Sequence, residues 1–444
     1  MGHAVTTLRP STILTHYQKT IVMTKTTIFT TVLFISCSIA ATCQTTTIRF
    51  GKLITGQGKV IPDAVVVVEG NRIKAVASGD ASVPQNTTLI DLRPLIGIPG
   101  LIDVHTHITY YWDQAPDTDP WTSLEHANPI VTTFLAQENA LKTLESGVTT
   151  VRDLGSWAGM DLAMRELIER GAMVGPRMFV AGHGLHVSFK GPDPWITEFD
   201  PGRADNIEEV KKAARGQIAA GVDWIKIYGS TGSANDVTGF QTYTFEEIKA
   251  AVDIAHQAGK RVSVHSYGPT GAKDAIRAGA ESVEHATGLD RETFQEMLKM
   301  GTFYVPTVDH NRYYADHRDE FGYGEDVVKG LQDFTNRNFE TLKLAVSMNV
   351  KIAMGSDALF TGFGENAREL EWFVKAGMTP EQALQTATVN AAALLGMEAE
   401  LGAIAPGFLA DLVAVFGDPL KDVNAVINGV HWVMKDGKVV VDKR

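Results

Sequence analysis

At 444 residues, 44% of them hydrophobic, the chain has ample apolar content for a large folded core, which excludes an intrinsically disordered protein. A formal net charge of −12 excludes a surface built to attract phosphate backbones, so no nucleic-acid partner is expected. The two cysteines, Cys37 and Cys43, both lie near the N-terminus, so a metal site elsewhere must be built from His, carboxylate or a less usual group.

In chain order, residues 1–43 read as an upstream extension followed by an export signal. Lys25 supplies the positive start, and the apolar run over 28–41 is too short to span a membrane. Arg9, His16 and Lys19 do not fit such a signal, which makes Met23 the expected start, with cleavage near Gln44. The expected location is therefore periplasmic or secreted, with lipid anchoring through Phe34-Ile35-Ser36-Cys37 as the alternative. Residues 44–96 carry short alternating runs at 47–50, 64–69 and 72–77, and residues 401–444 repeat the style at 411–416, 425–427 and 438–441. These two distant segments are expected to form one small β-sandwich. Residues 97–400 alternate strand and helix patterns, the signature of a (β/α)8 TIM-type barrel of the α/β class. Thr244 with Glu247 makes a capping box, the helix runs to about Ala258, Gly259 ends it, and 261–265 reads as a strand. A helix from Lys273 leads to the strand ending at His285. Further units end at Val305-Pro306-Thr307 and over 352–357, and a last helix starts with Thr379 as N-cap and Pro380 in its first turn.

Each of these strands finishes in polar or ionisable residues, and in such a barrel those positions line the mouth where active sites are built. Period-2 alternation turns His105 and His107 to the same side, although a lone His-x-His pair is more often structural than a metal site. Lys226 stands inside an apolar strand, where a bare ammonium carries a heavy desolvation penalty. It is either a snorkelling or salt-bridged lysine, or a neutral amine that captures carbon dioxide as a carbamate able to bridge two metals. His265, His285 and Asp357 also sit at strand ends. Any one of them could be a hydrogen-bonded core residue, but the six together are hard to explain that way.

The run Pro99-Gly100-Leu101-Ile102-Asp103-Val104-His105-Thr106-His107 resembles the amidohydrolase superfamily. So do Val283-Glu284-His285-Ala286, Gly355-Ser356-Asp357-Ala358 and the tail over 402–413, and the resemblance covers nearly all of the chain after the signal. It implies that His105, His107 and Asp357 hold the more buried of two divalent ions, that His265 and His285 hold the more exposed one, and that a carboxylated Lys226 bridges them. Zinc is the default metal, and a homo-oligomer is implied. Residues 149–155 and Gly182-His183-Gly184 are similar to the imidazolonepropionase-like and Xaa-Pro-dipeptidase-like group, which includes carboxypeptidases, dipeptidases and ochratoxinase-type amidases. The chain departs from the commonest form at Gly229-Ser230-Thr231-Gly232-Ser233.

The expected reaction is hydrolysis of a C–N amide bond in a dipeptide or N-acyl amino acid. A cyclic-amide hydrolase and a non-catalytic scaffold are the alternatives. The metals would lower the pKa of a shared water and polarise the carbonyl, and Asp357 would act as base. Tyr228 and His183 are candidates to stabilise the oxyanion. His186, His310 and Arg312 are expected in loops as substrate contacts, with the Arg312 guanidinium suited to a substrate carboxylate. Tyr110-Tyr111-Trp112 reads as a pocket wall or a packed rim, and Arg152-Asp153 as structural.

Overall fold

The computed structural model describes residues 45–79, 83–116, 118–125, 127–188, 200–232 and 236–444; the expected export signal, Met23, both cysteines and Ser233 lie outside them. Alternation of β-branched and polar residues makes β1 (Thr45–Ile54), β2 (Val60–Glu69), β3 (Arg72–Ser78), β4 (Thr88–Asp91) and β5 (Ile96–Pro99). Strand β1 pairs antiparallel with β2 along its whole length, while its other edge is shared in parallel between β4 and β5. Ile48, Phe50, Ala64, Val66 and Val68 alternate onto one buried face.

The central chain forms two parallel sheets with helices between successive strands. One holds β6 (Leu101–Thr106), β7 (Val148–Asp153) and β8 (Arg177–Val180). The other holds β9 (Trp224–Tyr228), β10 (Arg261–His265), β11 (Ser282–Glu284) and β12 (Phe303–Val305). A bridge from Leu185 to Ile227 joins the exit of β8 to β9, and bridges from Tyr304 to Ile352 and from Thr106 to Ala358 set residues 352–358 between β12 and β6. The strand expected over 352–357 is thus held by single bridges rather than a ladder, because Asp357 at φ 53° leaves the extended backbone.

Register places the chemistry. Lys226 lies beside Ser263, which lies beside Ser282; one step on, Tyr228 lies beside His265, which lies beside Glu284. The intervening Ile225, Ile227, Val262, Val264 and Val283 face the apolar core. A one-residue slip in any of these strands would swing its polar set into that core. The helix starts follow local signals: the capping boxes at Thr244/Glu247 and Thr379/Gln382 both form. The helix expected from Lys273 begins earlier, as Pro269–Ala278, because extended Gly268 delivers Pro269 into its first turn.

The chain's end returns as β13 (Leu412–Val415), β14 (Val430–Lys435) and β15 (Lys438–Asp442). Antiparallel pairing of β13 with β5 joins both ends of the described chain in one eight-stranded sheet, ordered β15-β14-β13-β5-β1-β2-β3 with β4 on β1. The strand expected at 425–427 is instead a helical turn, Asn424–Ile427. Val423 and Val426 bury at helical spacing, and Asp422 accepts the Asn424 N–H.

Arg177 of β8 ties the two parts together: its guanidinium bonds Thr150 at 2.8 Å and Asp411 at 2.6 Å and also reaches Asp436. Asp411 is 5% exposed. Arg177→Ala strips that carboxylate of its counter-charge and is expected to lower the unfolding free energy by about 3 kcal/mol. Denaturant midpoints check this, and an unchanged midpoint contradicts the latch.

Candidate metal centre

Strand β6 and its exit deliver His105 and His107, both buried, with their Nε2 atoms 3.4 and 3.3 Å from Asp357 Oδ1. These three residues offer ligand atoms within 4.8 Å of one another. His285 stands with its ring centroid 4.8 Å from that of His105 and 4.6 Å from that of His265, and Lys226 Nζ lies 3.4 Å from His105 Nε2. All six residues expected at the metal site therefore meet on the floor of one cavity of about 450 Å³.

The donor set fits a divalent cation because three of its imidazoles, those of His105, His107 and His285, are oriented from behind. His105 Nδ1 donates to Glu284 at 2.8 Å and His107 Nδ1 donates to the Gly155 carbonyl at 2.9 Å, so both Nε2 lone pairs point inward. His285 Nδ1 is 2.7 Å from the Thr307 hydroxyl. A Cβ at Gly155 would come within 3.0 Å of both His107 Cε1 and Tyr228 Oη, so only glycine lets these two side chains stand there. Asp103, fully buried, accepts the backbone N–H groups of His105 and Ser356, the Ser356 hydroxyl and the Asn366 amide, which locks β6 to the Asp357 segment.

Electrostatics support the same reading. Burial holds the His105 and His285 imidazoles well below the usual histidine range, leaving neutral rings with lone pairs to give. Burial alone would raise the Asp357 carboxyl, but its neighbour His310 holds it well below the usual carboxylate range. Burial pulls the Lys226 amine down to about 8, against Glu284 and Asp357 acting the other way.

The other expected contacts divide. His183, His186, Tyr228 and His310 line the cavity. His183 Nε2 accepts the Ala158 N–H at 3.0 Å, and His186 Nε2 is 2.9 Å from Asp200. His310 donates from Nδ1 to the Asp357 carbonyl at 2.8 Å. Arg312 is not among the residues lining the cavity: Asp309 grips its guanidinium at 3.0 and 2.7 Å and Asp316 at 2.8 Å, which corrects its expected role as a carboxylate clamp. His310 and Arg312 lie on the helix Val308–Asp316 rather than in loops, because buried Glu369 accepts the N–H groups of Val308 and Asp309 and caps it from a distant part of the chain. Tyr110 lines the cavity, while Trp112 packs against Phe321 in a neighbouring aromatic cluster.

Sequence reading assigned no role to Glu284, Thr307, Asp200 or Tyr267. Glu284 had a signal, since a carboxylate in an apolar strand demands a buried partner, and Arg152 at 3.0 Å supplies it. Asp200 and Thr307 meet their histidines only through tertiary contact. Glu284→Gln is expected to weaken divalent-metal binding about 10- to 100-fold, read by chelator competition; unchanged affinity contradicts the orienting role.

Residues 96–440 match the amidohydrolase family. The ochratoxinase of Aspergillus niger is 30% identical over 429 residues, covering 89% of this chain and 86% of its own. A Xaa-Pro dipeptidase solved with methionine in its active site superposes with a TM-score of 0.80 at 34% identity, over 89% of this chain and 99% of its own. A prolidase complexed with N-methylphosphonate-L-proline gives 0.80 at 28% identity, over 90% and 100%. With these likenesses, the two parallel sheets are those of an α/β TIM-type barrel. The chain belongs to the amidohydrolase family and is a hydrolase of carbon–nitrogen bonds.

Proposed function

We propose that the protein is a binuclear metal-dependent hydrolase of linear amides, either dipeptides or N-acyl amino acids. The observation that carries this is the convergence of four histidines, Lys226 and Asp357 on one cavity floor. His105, His107 and Asp357 would hold one ion, His265 and His285 the other, and a carboxylated Lys226 would stand between them, with zinc the first metal to try. A buried amine with its pKa drawn down to about 8 has a neutral fraction able to capture carbon dioxide. When bound, the ions supply the Lewis acidity that activates a water and polarises the carbonyl.

The chain's own groups supply the rest. Asp357 is an anion whose Oδ1 faces His105 and His107, and whose Oδ2 lies 3.2 Å from His310 Nδ1. It takes a proton from the attacking water and passes it to the leaving nitrogen, while His310 holds it in place. Tyr228 stands over the floor, its ring centroid 5.4 Å from Lys226 Nζ, with its hydroxyl as donor for the developing oxyanion. His183 Nε2 accepts a backbone N–H, so its ring proton sits on Nδ1, and that N–H is the donor it would offer. The names of the relatives, an ochratoxinase, a Xaa-Pro dipeptidase and a prolidase, favour an open amide that yields an amino acid. Export through the apolar run at 28–41 and assembly into a homo-oligomer complete the proposal.

The metal-loaded protein is to be incubated with dipeptides, N-acyl amino acids and cyclic amides under mass-spectrometric readout. Amino-acid release from the linear members is expected; turnover of the cyclic members alone moves the enzyme to a lactam hydrolase, and no turnover at all to a scaffold. Lys226→Ala should abolish activity, with partial rescue by short-chain carboxylates, and full activity without rescue sinks the carbamate. Asp357→Asn should keep the native circular dichroism while turnover falls about 10²- to 10⁴-fold, and near-normal turnover removes its role as base.

A further inference from the structure

Above the floor the cavity lining is largely sorted by strand, with Ser156 after β7, Val187 after β8 and Tyr267 after β10 outside the pattern. Polar lining residues follow β8 and β9: His183, His186 and Asp200 after the first, Thr231 and Asp236 after the second. Apolar lining residues follow β6, β7 and the Asp357 segment: Tyr110, Trp121 and Leu124, then Trp157, then Leu359. Bridges and ladders make β7, β6 and the Asp357 segment neighbours, so the apolar residues form one continuous wall. This wall begins at the reacting centre, with the Tyr110 ring 4.9 Å from that of His107. Phe360 backs it, 6.0 Å from Tyr110 and edge-on to Trp121 at 4.9 Å. Tyr110, Trp121 and Trp157 are only half-buried although each lines the cavity, so the wall keeps apolar surface that a ligand could cover.

We propose that this wall is the subsite for a large apolar or aromatic side chain on the leaving-amine fragment, with Trp121 as the residue that sets the preference. The inference rests on the amide-hydrolase reading, and the orientation follows from the proton's path. Asp357 serves the leaving nitrogen, and the chain runs from Asp357 directly into Leu359 and Phe360. The substituents of that nitrogen therefore lie on the apolar side, and the acyl group on the polar side near Tyr228. Covering the wall removes apolar surface from water only when the side chain is large enough to reach Trp121.

Three amides separate the possibilities in the metal-loaded full chain: N-acetyl-alanine, N-acetyl-phenylalanine and N-phenylacetyl-alanine. The phenylalanine amide is expected to exceed the alanine amide about tenfold or more in kcat/KM. Trp121→Ala should bring that ratio towards one, mainly through KM, and Trp121→Phe should keep most of it. A ratio that survives Trp121→Ala, or a preference that follows the acyl group, overturns the proposal. Calorimetric binding of L-phenylalanine and L-alanine needs no turnover. Tighter phenylalanine binding that Trp121→Ala abolishes upholds the subsite even if none of the amides is cleaved, whereas equal binding overturns it.

Discussion

The rest of the structure hangs on one buried carboxylate. Glu284 is wholly inaccessible and accepts from Arg152, Ser263, Ser282 and His105, so a single charge ties β11 to β10, β7 and β6. Arg152 in turn donates to the Val104 carbonyl and lies 4.4 Å over the Trp224 ring, which brings in β9. Such a pair adds little net stability over apolar packing, but deleting one partner strands a charge and costs about 3–5 kcal/mol. Its effect is geometric: with the Glu284 carboxylate held from three sides, the His105 ring has one orientation, and its Nε2 points into the cavity.

Strain is concentrated where function needs direction. His285, Thr307 and Asp357 all take left-handed backbone angles, φ 68°, 49° and 53°, at or just after strand ends. For non-glycine residues this costs about 1–3 kcal/mol each and persists only when the surroundings enforce it. Here the enforcing contacts are those of the site itself: Thr307 against His285 Nδ1, and Asp357 bonded through its backbone to His105 and His310. The turns aim a histidine, its hydrogen-bond partner and a carboxylate at one another, which straight strands could not do.

The arrangement also divides labour between strand and loop. Strands and the turns that leave them carry the metal-type donors, and the register of the parallel sheets sets Lys226 beside Ser263 and His265 beside Glu284. Loops after β8 and β9 carry a mostly polar lining, and those after β6, β7 and Asp357 a mostly apolar one, so selectivity can change without disturbing the floor.

The sequence by itself determined many of the strands and the identity of the floor residues, but not β4, β8 or β14, and 425–427 is a helical turn. Alternation and strand-end polarity are local, so His105, His107, Lys226, His265, His285 and Asp357 were legible one strand at a time, as were the capping boxes at Thr244 and Thr379. Only the tertiary structure decided what surrounds them. Glu369 caps a helix some sixty residues away, which moves His310 out of a loop, and Asp309 and Asp316 consume the Arg312 guanidinium that the sequence left free for substrate. The union of residues 45–99 with residues 412–442 in one sheet depends likewise on β13 finding β5. Periodicity reports which face of an element is buried, but not against what, and the partner of a charge is a long-range fact that no local pattern encodes.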